Sequence, residues 1–223
     1  MEAREYNIEL FSAVPKFIID DINRYGKIVE FYKNMPAMSS DDTMKYFYFI
    51  IEGRIKVYQF NFETSKEQTI KILSRGDMFD VIVLLDNKPH DVVTEAYEDS
   101  KALRVPLDRV REWIDTNADF RKLFFRYVAG EMRSLEELAT DLSLLDTSTR
   151  FIKLLLKHFD PQTAKLKLIH DLPHEELASL IGTVRHVVNR HIQELKKEGS
   201  LEVERKKIKL TNIANLLDRL QLK

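Results

Sequence analysis

The sequence predicts an α+β protein: a β-rich N-terminal body, one long helix and a C-terminal winged helix-turn-helix. Three observations carry this. Between Lys27 and Pro106, β-branched and aromatic residues gather in short runs divided by turn residues. From Asp119 to Leu145, apolar residues recur at helical spacing without a break. From His174 to Leu201, two amphipathic stretches meet at Gly182.

Taken in order, Ile8 to Asn23 predicts an opening helix on Leu10, Phe11, Val14, Phe17, Ile18 and Ile22, divided at Pro15. Strands follow at Ile28–Tyr32, Tyr46–Ile51, Arg54–Phe60, Gln68–Leu73, Val92–Thr94 and Ala102–Val105. Turn signals separate them at Asn34–Pro36, Ser39–Asp42, Glu52–Gly53, Arg75–Asp77 and Asn87–Pro89. Short strands at this spacing imply an antiparallel sandwich or barrel. Asp108–Ala118 reads as a short helix carrying the sole tryptophan, Trp113.

In the long helix, Phe124, Val128, Glu131, Leu135, Leu138, Leu142 and Leu145 alternate spacings of 4 and 3. That is a coiled-coil seam, polar only at Glu131. It predicts a dimer interface of Phe124, Val128, Leu135, Leu138, Leu142 and Leu145. The alternative is packing within the chain, the role assigned to Phe120, Leu123 and Tyr127. Leu145, Asp146 and Thr147 form the expected hinge, whose polar residues cap a helix from Arg150 to Phe159. Asp160-Pro161 stops that helix. A strand within Ala164–Ile169 and a closing helix at Ile213–Leu222 complete the reading.

The stretch HEELASLIGTVRHVVNRHIQELKKEGSL opens with a helix at His174–Ile181, with Leu177, Leu180 and Ile181 on one face. Gly182 supplies a turn residue with φ > 0. The second helix runs from Val184 to Glu198, with Val184, Val187, Val188, Ile192 and Leu195 inward. Arg185, His186, Asn189, Arg190 and Gln193 fill the other face, side chains suited to base edges. A plain helical hairpin would share the periodicity. Leu201–Leu210 then alternates as a hairpin with Arg205, Lys206 and Lys207 at its tip. A cationic tip suits phosphate, although a solvated charge run reads the same way.

Net charge is −1, but residues from Pro161 onward hold 12 Lys and Arg against 8 Asp and Glu, a net of +4. The remainder therefore carries −5. A basic end on an acidic body suits contact with DNA. The absence of cysteine excludes disulfides, thiolate zinc sites and iron–sulfur clusters. Met1–Leu10 is polar and no apolar run approaches a membrane span, so a soluble cytoplasmic protein without membrane contact is expected.

Leu177-Ala178, Gly182, Arg185, Val188, Arg190, Leu195 and Gly199 resemble the DNA-binding end of the cyclic-AMP receptor protein / fumarate-nitrate regulator (CRP/FNR) family. Ile51–Tyr58 resembles a hairpin of the family's cyclic-nucleotide-binding β-roll, and Leu73–Phe79 its next turn. The resemblance implies a β-roll over residues 1–118, a dimerisation helix over 119–145 and a winged helix-turn-helix over 146–223. It implies a homodimeric transcription regulator on a pseudo-palindromic double-stranded operator, with RNA polymerase as partner. Val184, Arg185, His186, Asn189 and Arg190 become base contacts, and Thr183, Arg205, Lys206 and Lys207 phosphate contacts.

The likeness breaks at the phosphate cassette. Members that bind cyclic AMP use glycine amides, a glutamate for the ribose and an Arg-Ser pair for the phosphate. Here the glycines are missing from Asp80–Asp91, Val81 replaces the glutamate, and His90 and Asp91 replace the pair. An aspartate beside a phosphodiester repels it. Val81–Leu85 reads as packed core. Cyclic-AMP gating is therefore not expected. The expected effector is another molecule, or none, in a pocket near Val81, Leu84, His90 and Asp91.

Catalytic motifs are missing. His174-Glu175-Glu176 lacks the second histidine of a zinc-protease helix, since Ala178 stands there. The glycines form no phosphate loop or nucleophile elbow. No metal site is predicted. The alternative regulator in the same family is a haem-dependent gas sensor with His90 as ligand. His158, His170, His174, His186 and His191 fall in the DNA-binding half.

Overall fold

A computed structural model describes residues 15–204 and 207–221. The opening helix up to Val14, the wing-tip residues Arg205 and Lys206, and Leu222 lie outside them. Two compact units emerge: residues up to Phe60 with Ile70–Ser134, and Asn61–Thr69 with Leu135–Lys223. The long helix, expected as a segment of its own, is divided between them, as is the strand Lys66–Leu73.

The first unit runs α1 (Lys16–Tyr25), β1 (Lys27–Phe31), α2 (Ser40–Thr43), β2 (Tyr46–Glu52), β3 (Ile55–Asn61) and β4 (Lys66–Leu73). Then come β5 (Met78–Phe79), α3 (Val81–Asp86), β6 (Val93–Ala96), β7 (Ser100–Pro106), α4 (Leu107–Thr116) and α5 (Ala118–Leu144). Two antiparallel sheets form, ordered β1-β7-β2-β5 and β4-β3-β6. Strand β2 is buried on both faces because its alternating residues enter different cores. Phe47 and Phe49 join Ile18, Ile22, Trp113, Phe120 and Phe124 under the helices. Tyr48 and Ile50 join Ile55, Val57, Leu73 and Phe79. The β2–β3 turn requires Gly53: its φ is +83°, and a Cβ would lie 2.7 Å from the Asp99 carbonyl oxygen.

Two expectations change here. The apolar run at Val81–Leu85 forms a short helix, α3, with two faces. Val83 and Leu84 are buried, whereas Ile82 and Leu85 stay about half exposed. Arg111 of α4 holds its end, donating from Nε to the Leu84 carbonyl at 3.0 Å and from Nη2 to the Asn87 side-chain oxygen at 3.1 Å.

On α5, Phe124 is 0% exposed in the single chain, packed with Phe47 and Phe120, and Val128 rests on the same core. Glu131 also turns inward, accepting from Lys71 Nζ at 2.7 Å. Tyr127 accepts from the Met78 N–H at 3.0 Å and donates to the Met78 carbonyl at 3.1 Å. Burial pushes the Tyr127 hydroxyl up to about 12. The start of the predicted seam is thus spent inside this unit. The apolar side chains left outside are Phe125, Met132 and Leu135, spaced by 7 and 3, with Leu144 beyond. Leu138, Leu142 and Leu145 are half-buried.

The second unit continues with α6 (Thr147–Lys157), β8 (Phe159–Asp160), β9 (Lys165–Leu166), α7 (His174–Leu180), α8 (Arg185–Lys197), β10 (Leu201–Glu204), β11 (Lys207–Leu210) and α9 (Ile213–Gln221). Asp146 caps α6 by accepting from the Thr149 N–H at 2.8 Å. Lys153 and Lys157 of α6 pair with Asp141 and Glu137 of α5 at 2.5 and 3.0 Å. The predicted strand at Ala164–Ile169 shortens to Lys165–Leu166, paired with Phe159–Asp160. Asp160 organises that turn. Hydrogen bonds from Lys167, the Thr163 hydroxyl and the Gln162 N–H hold its carboxyl below the usual carboxylate range.

Candidate nucleic-acid interface

Helix α7 buries Leu177 and Ala178 and leaves Leu180 half-buried. The chain then turns at Gly182, with φ +63°. A Cβ there would lie 2.5 Å from Leu142 Cδ2, a side-chain end that can give way, so it is the left-handed backbone that favours glycine at this turn. The Thr183 N–H closes the turn onto the Ala178 carbonyl at 2.9 Å.

Helix α8 starts one residue later than expected, with Val184 as an extended N-cap. Val184 is therefore 46% exposed, not inward, because a cap residue precedes the helical repeat. Val188, Ile192 and Leu195 are buried as anticipated. Arg185, His186, Arg190 and Gln193 are exposed, while Asn189 and Thr183 are half-buried. Arg190 approaches Glu194 only at 3.9 Å, an exposed pair one helical turn apart. Lys196 and Lys197 fill the last turn, where the helix dipole favours cations. In the wing, β10 and β11 pair from Leu201 with Leu210 to Glu204 with Lys207, and Lys207 is exposed.

Two links on α8 escaped sequence reasoning because each joins residues distant in the chain. His191 is 4% exposed and stacks on Phe151 at 6.3 Å between ring centroids. Its Nε2 meets the Thr147 hydroxyl at 2.9 Å, connecting the predicted hinge to α8. Asn189 is hydrogen-bonded to His174 at the start of α7. A third link belongs to α7. Ser179 is held by segment 61–69, its hydroxyl accepting from the Thr69 N–H at 2.9 Å.

The predicted effector residues do not converge. Leu84 is packed in the helical core with Val81 against it, and Asp91 is exposed. His90 stacks on Phe79 at 6.4 Å and meets the buried Asp80 carboxylate at 2.8 Å through Nδ1. That hydrogen bond raises the His90 pKa above the ordinary imidazole value, against partial burial. Among the described residues, no group of three or more His, Asp or Glu side chains could hold a metal ion, and no helix is long and apolar enough to cross a membrane.

Residues 28–117 match the family model of the cyclic nucleotide-binding domain, and residues 149–219 match that of the Crp-like helix-turn-helix domain. The chain belongs to the CRP/FNR family of transcription regulators. This CRP/FNR protein is 24% identical, over 94% of its length and 95% of the relative's, to a "CRP-like cAMP-activated global transcriptional regulator" of Mycobacterium tuberculosis. It is 24% identical to the "Global nitrogen regulator" of Nostoc sp., covering 82% of this chain and 85% of the other. Among solved structures, FixK2 from Bradyrhizobium japonicum aligns with a TM-score of 0.73 at 19% identity, over 86% of this chain and 96% of that one. A CooA mutant from Carboxydothermus hydrogenoformans aligns at 0.74 and 20% identity, over 89% of each chain. The CRP/FNR protein is a DNA-binding transcription regulator and not an enzyme.

Proposed function

We propose that this regulator acts as a homodimer that reads a pseudo-palindromic operator with α8 and is not gated by cyclic AMP. The carrying observation is the two-sided character of α8. Val188, Ile192 and Leu195 anchor it, and Arg185, His186 and Arg190 stand in solvent. Arg185 and Arg190 suit bidentate contact with guanine O6 and N7. His186, Asn189 and Val184 can reach neighbouring base edges, including a thymine methyl for Val184. Thr183 and Lys207, with Arg205 and Lys206, serve phosphates. A dimer built on the exposed apolar line of α5 would set two copies of α8 into successive major grooves, roughly 34–36 Å apart. RNA polymerase is the expected protein partner, and the cytoplasm the expected location.

The case against cyclic AMP is the cassette's own chemistry. Asp80 and His90 already engage each other, and Asp91 would repel a phosphodiester. The effector is then a different molecule, or none. A haem-sensing reading has one supporting observation: ligand histidines commonly donate their second ring nitrogen to a carboxylate, as His90 does to Asp80. His90 would be the residue that holds the haem, and haem would supply gas binding. A Soret band in the purified protein decides that reading.

The deciding experiment is selection of bound DNA from a random library by the purified protein without ligand, repeated with cyclic AMP. Enrichment of an inverted repeat with half-sites about one helical turn apart, unchanged by cyclic AMP, is expected. Enrichment only when cyclic AMP is added would overturn the ungated reading.

A further inference from the structure

Asn189 is the half-buried member of an otherwise exposed reading face. Its carboxamide oxygen lies in a hydrogen bond with Nδ1 of His174. A carboxamide oxygen can only accept, so Nδ1 must carry the hydrogen and His174 donates. The two residues stand 15 apart in sequence, on the two helices that the Gly182 turn folds together.

We infer that His174 is a specificity-determining positioning residue: by holding and orienting the Asn189 oxygen, it makes Asn189 read DNA chiefly through its amide hydrogen-bond donors. The inference rests on the reading of α8 as the base-contacting helix. A free asparagine favours adenine because it pairs twice, accepting from N6 through its oxygen and donating to N7 through its amide. His174 takes one of the oxygen's two lone pairs and fixes its direction toward α7, so the paired alignment with adenine is broken and the NH2 group is the part left to present. The base edge that fits a lone donor carries acceptors and no competing donor. In the major groove guanine offers two such acceptors, N7 and O6, and thymine one, O4, so guanine is the better fit. Adenine loses the alignment of its second bond and sets its own N6 donor beside the amide. His174 thereby changes the letter read at one position of each half-site without touching the base.

The test is library selection with the full chain and its His174→Ala, His174→Gln and Asn189→Ala variants, each first checked for native circular dichroism. The native protein should enrich guanine at one symmetric pair of positions, and Asn189→Ala should flatten that pair alone. His174→Ala frees the oxygen, and adenine enrichment at the same pair should rise about fivefold or more. His174→Gln still offers an N–H donor and should restore the native preference. If Asn189→Ala alters one position while His174→Ala leaves that position unchanged, His174 does not set the reading and the inference is overturned. If the native protein selects no sequence, it is the reading of α8 that falls. The His174 link is then judged in free protein by nitrogen NMR of the imidazole. A ring protonated at Nδ1 supports it, and one protonated only at Nε2 overturns it.

Discussion

At the cassette, Asp80 is 3% exposed and meets the His90 ring at 2.8 Å, while Arg111 spends its guanidinium on the carbonyls and amide around α3. On α8, Arg185, His186 and Arg190 face water, and Arg190 approaches Glu194 only at 3.9 Å. Both places belong to parts of the fold where the family meets its ligands. One has closed its polar groups on each other, and the other has left them open. A hydrogen bond already made inside the protein must be broken before the same atoms can bind anything else, which removes most of the gain. An exposed guanidinium gives up only water. The contrast teaches that two regions of one fold can differ in how many of their polar atoms are left unspent.

The largest effect should come from the buried side of α5. Phe124→Ala should cost about 3–5 kcal/mol in urea unfolding followed by Trp113 fluorescence, because it empties a filled core. Met132→Glu should leave that transition nearly unmoved and should weaken self-association in sedimentation. A Phe124→Ala protein of native stability but impaired association would restore Phe124 to the interface.

The two units should answer acid in opposite directions. Burial and the Lys157 cation depress His158 from 6.5 to about 4. The unfolded chain therefore binds the proton first, and stability falls as pH drops from 6.5 toward 4, by about 3 kcal/mol in all. His90 is raised by Asp80, so its stabilisation is complete below its ordinary pKa and is lost as pH rises through the folded value. Stability curves against pH for His158→Phe and His90→Gln should depart from the native curve at opposite ends. Departure at the same end would remove the contrast.

On the reading face, Arg190→Ala should lose about 1–3 kcal/mol on the operator and much less on random DNA, measured by fluorescence anisotropy. Equal losses on both would make Arg190 a phosphate contact. The smallest change belongs to Lys207→Ala. It should weaken all DNA alike and lower the slope of log K against log salt by about 1. A loss confined to operator DNA would give the wing a reading role.

Much of this was legible in the chain. A continuous aromatic and β-branched run located β2, alternation located β3 and β4, and the spacing around Gly182 placed α7 and α8, because these signals arise from residues near one another. The start of α8 was missed by one residue, since Val184 looks the same as a cap or as a core residue. The α5 seam was misread at its start. A run of apolar residues at spacings of 3 and 4 fits a partner helix or the body of the same chain equally well, and Phe124 and Val128 took the latter. The cassette residues were named together from a resemblance, but α3 turns Leu84 toward one core while His90 stacks on Phe79.

The sequence by itself determined the element types, their order, the glycine turn and the cationic side of α8. These depend on local periodicity and on backbone freedom at single residues. Only the tertiary structure decided which polar groups are already engaged: Asp80 with His90, Glu131 with Lys71, His191 with Thr147, Asn189 with His174. Those pairs join residues 10 to 60 positions apart, beyond any helical or strand repeat, and a hydrogen bond depends on how the elements pack, not on how the chain is spelled.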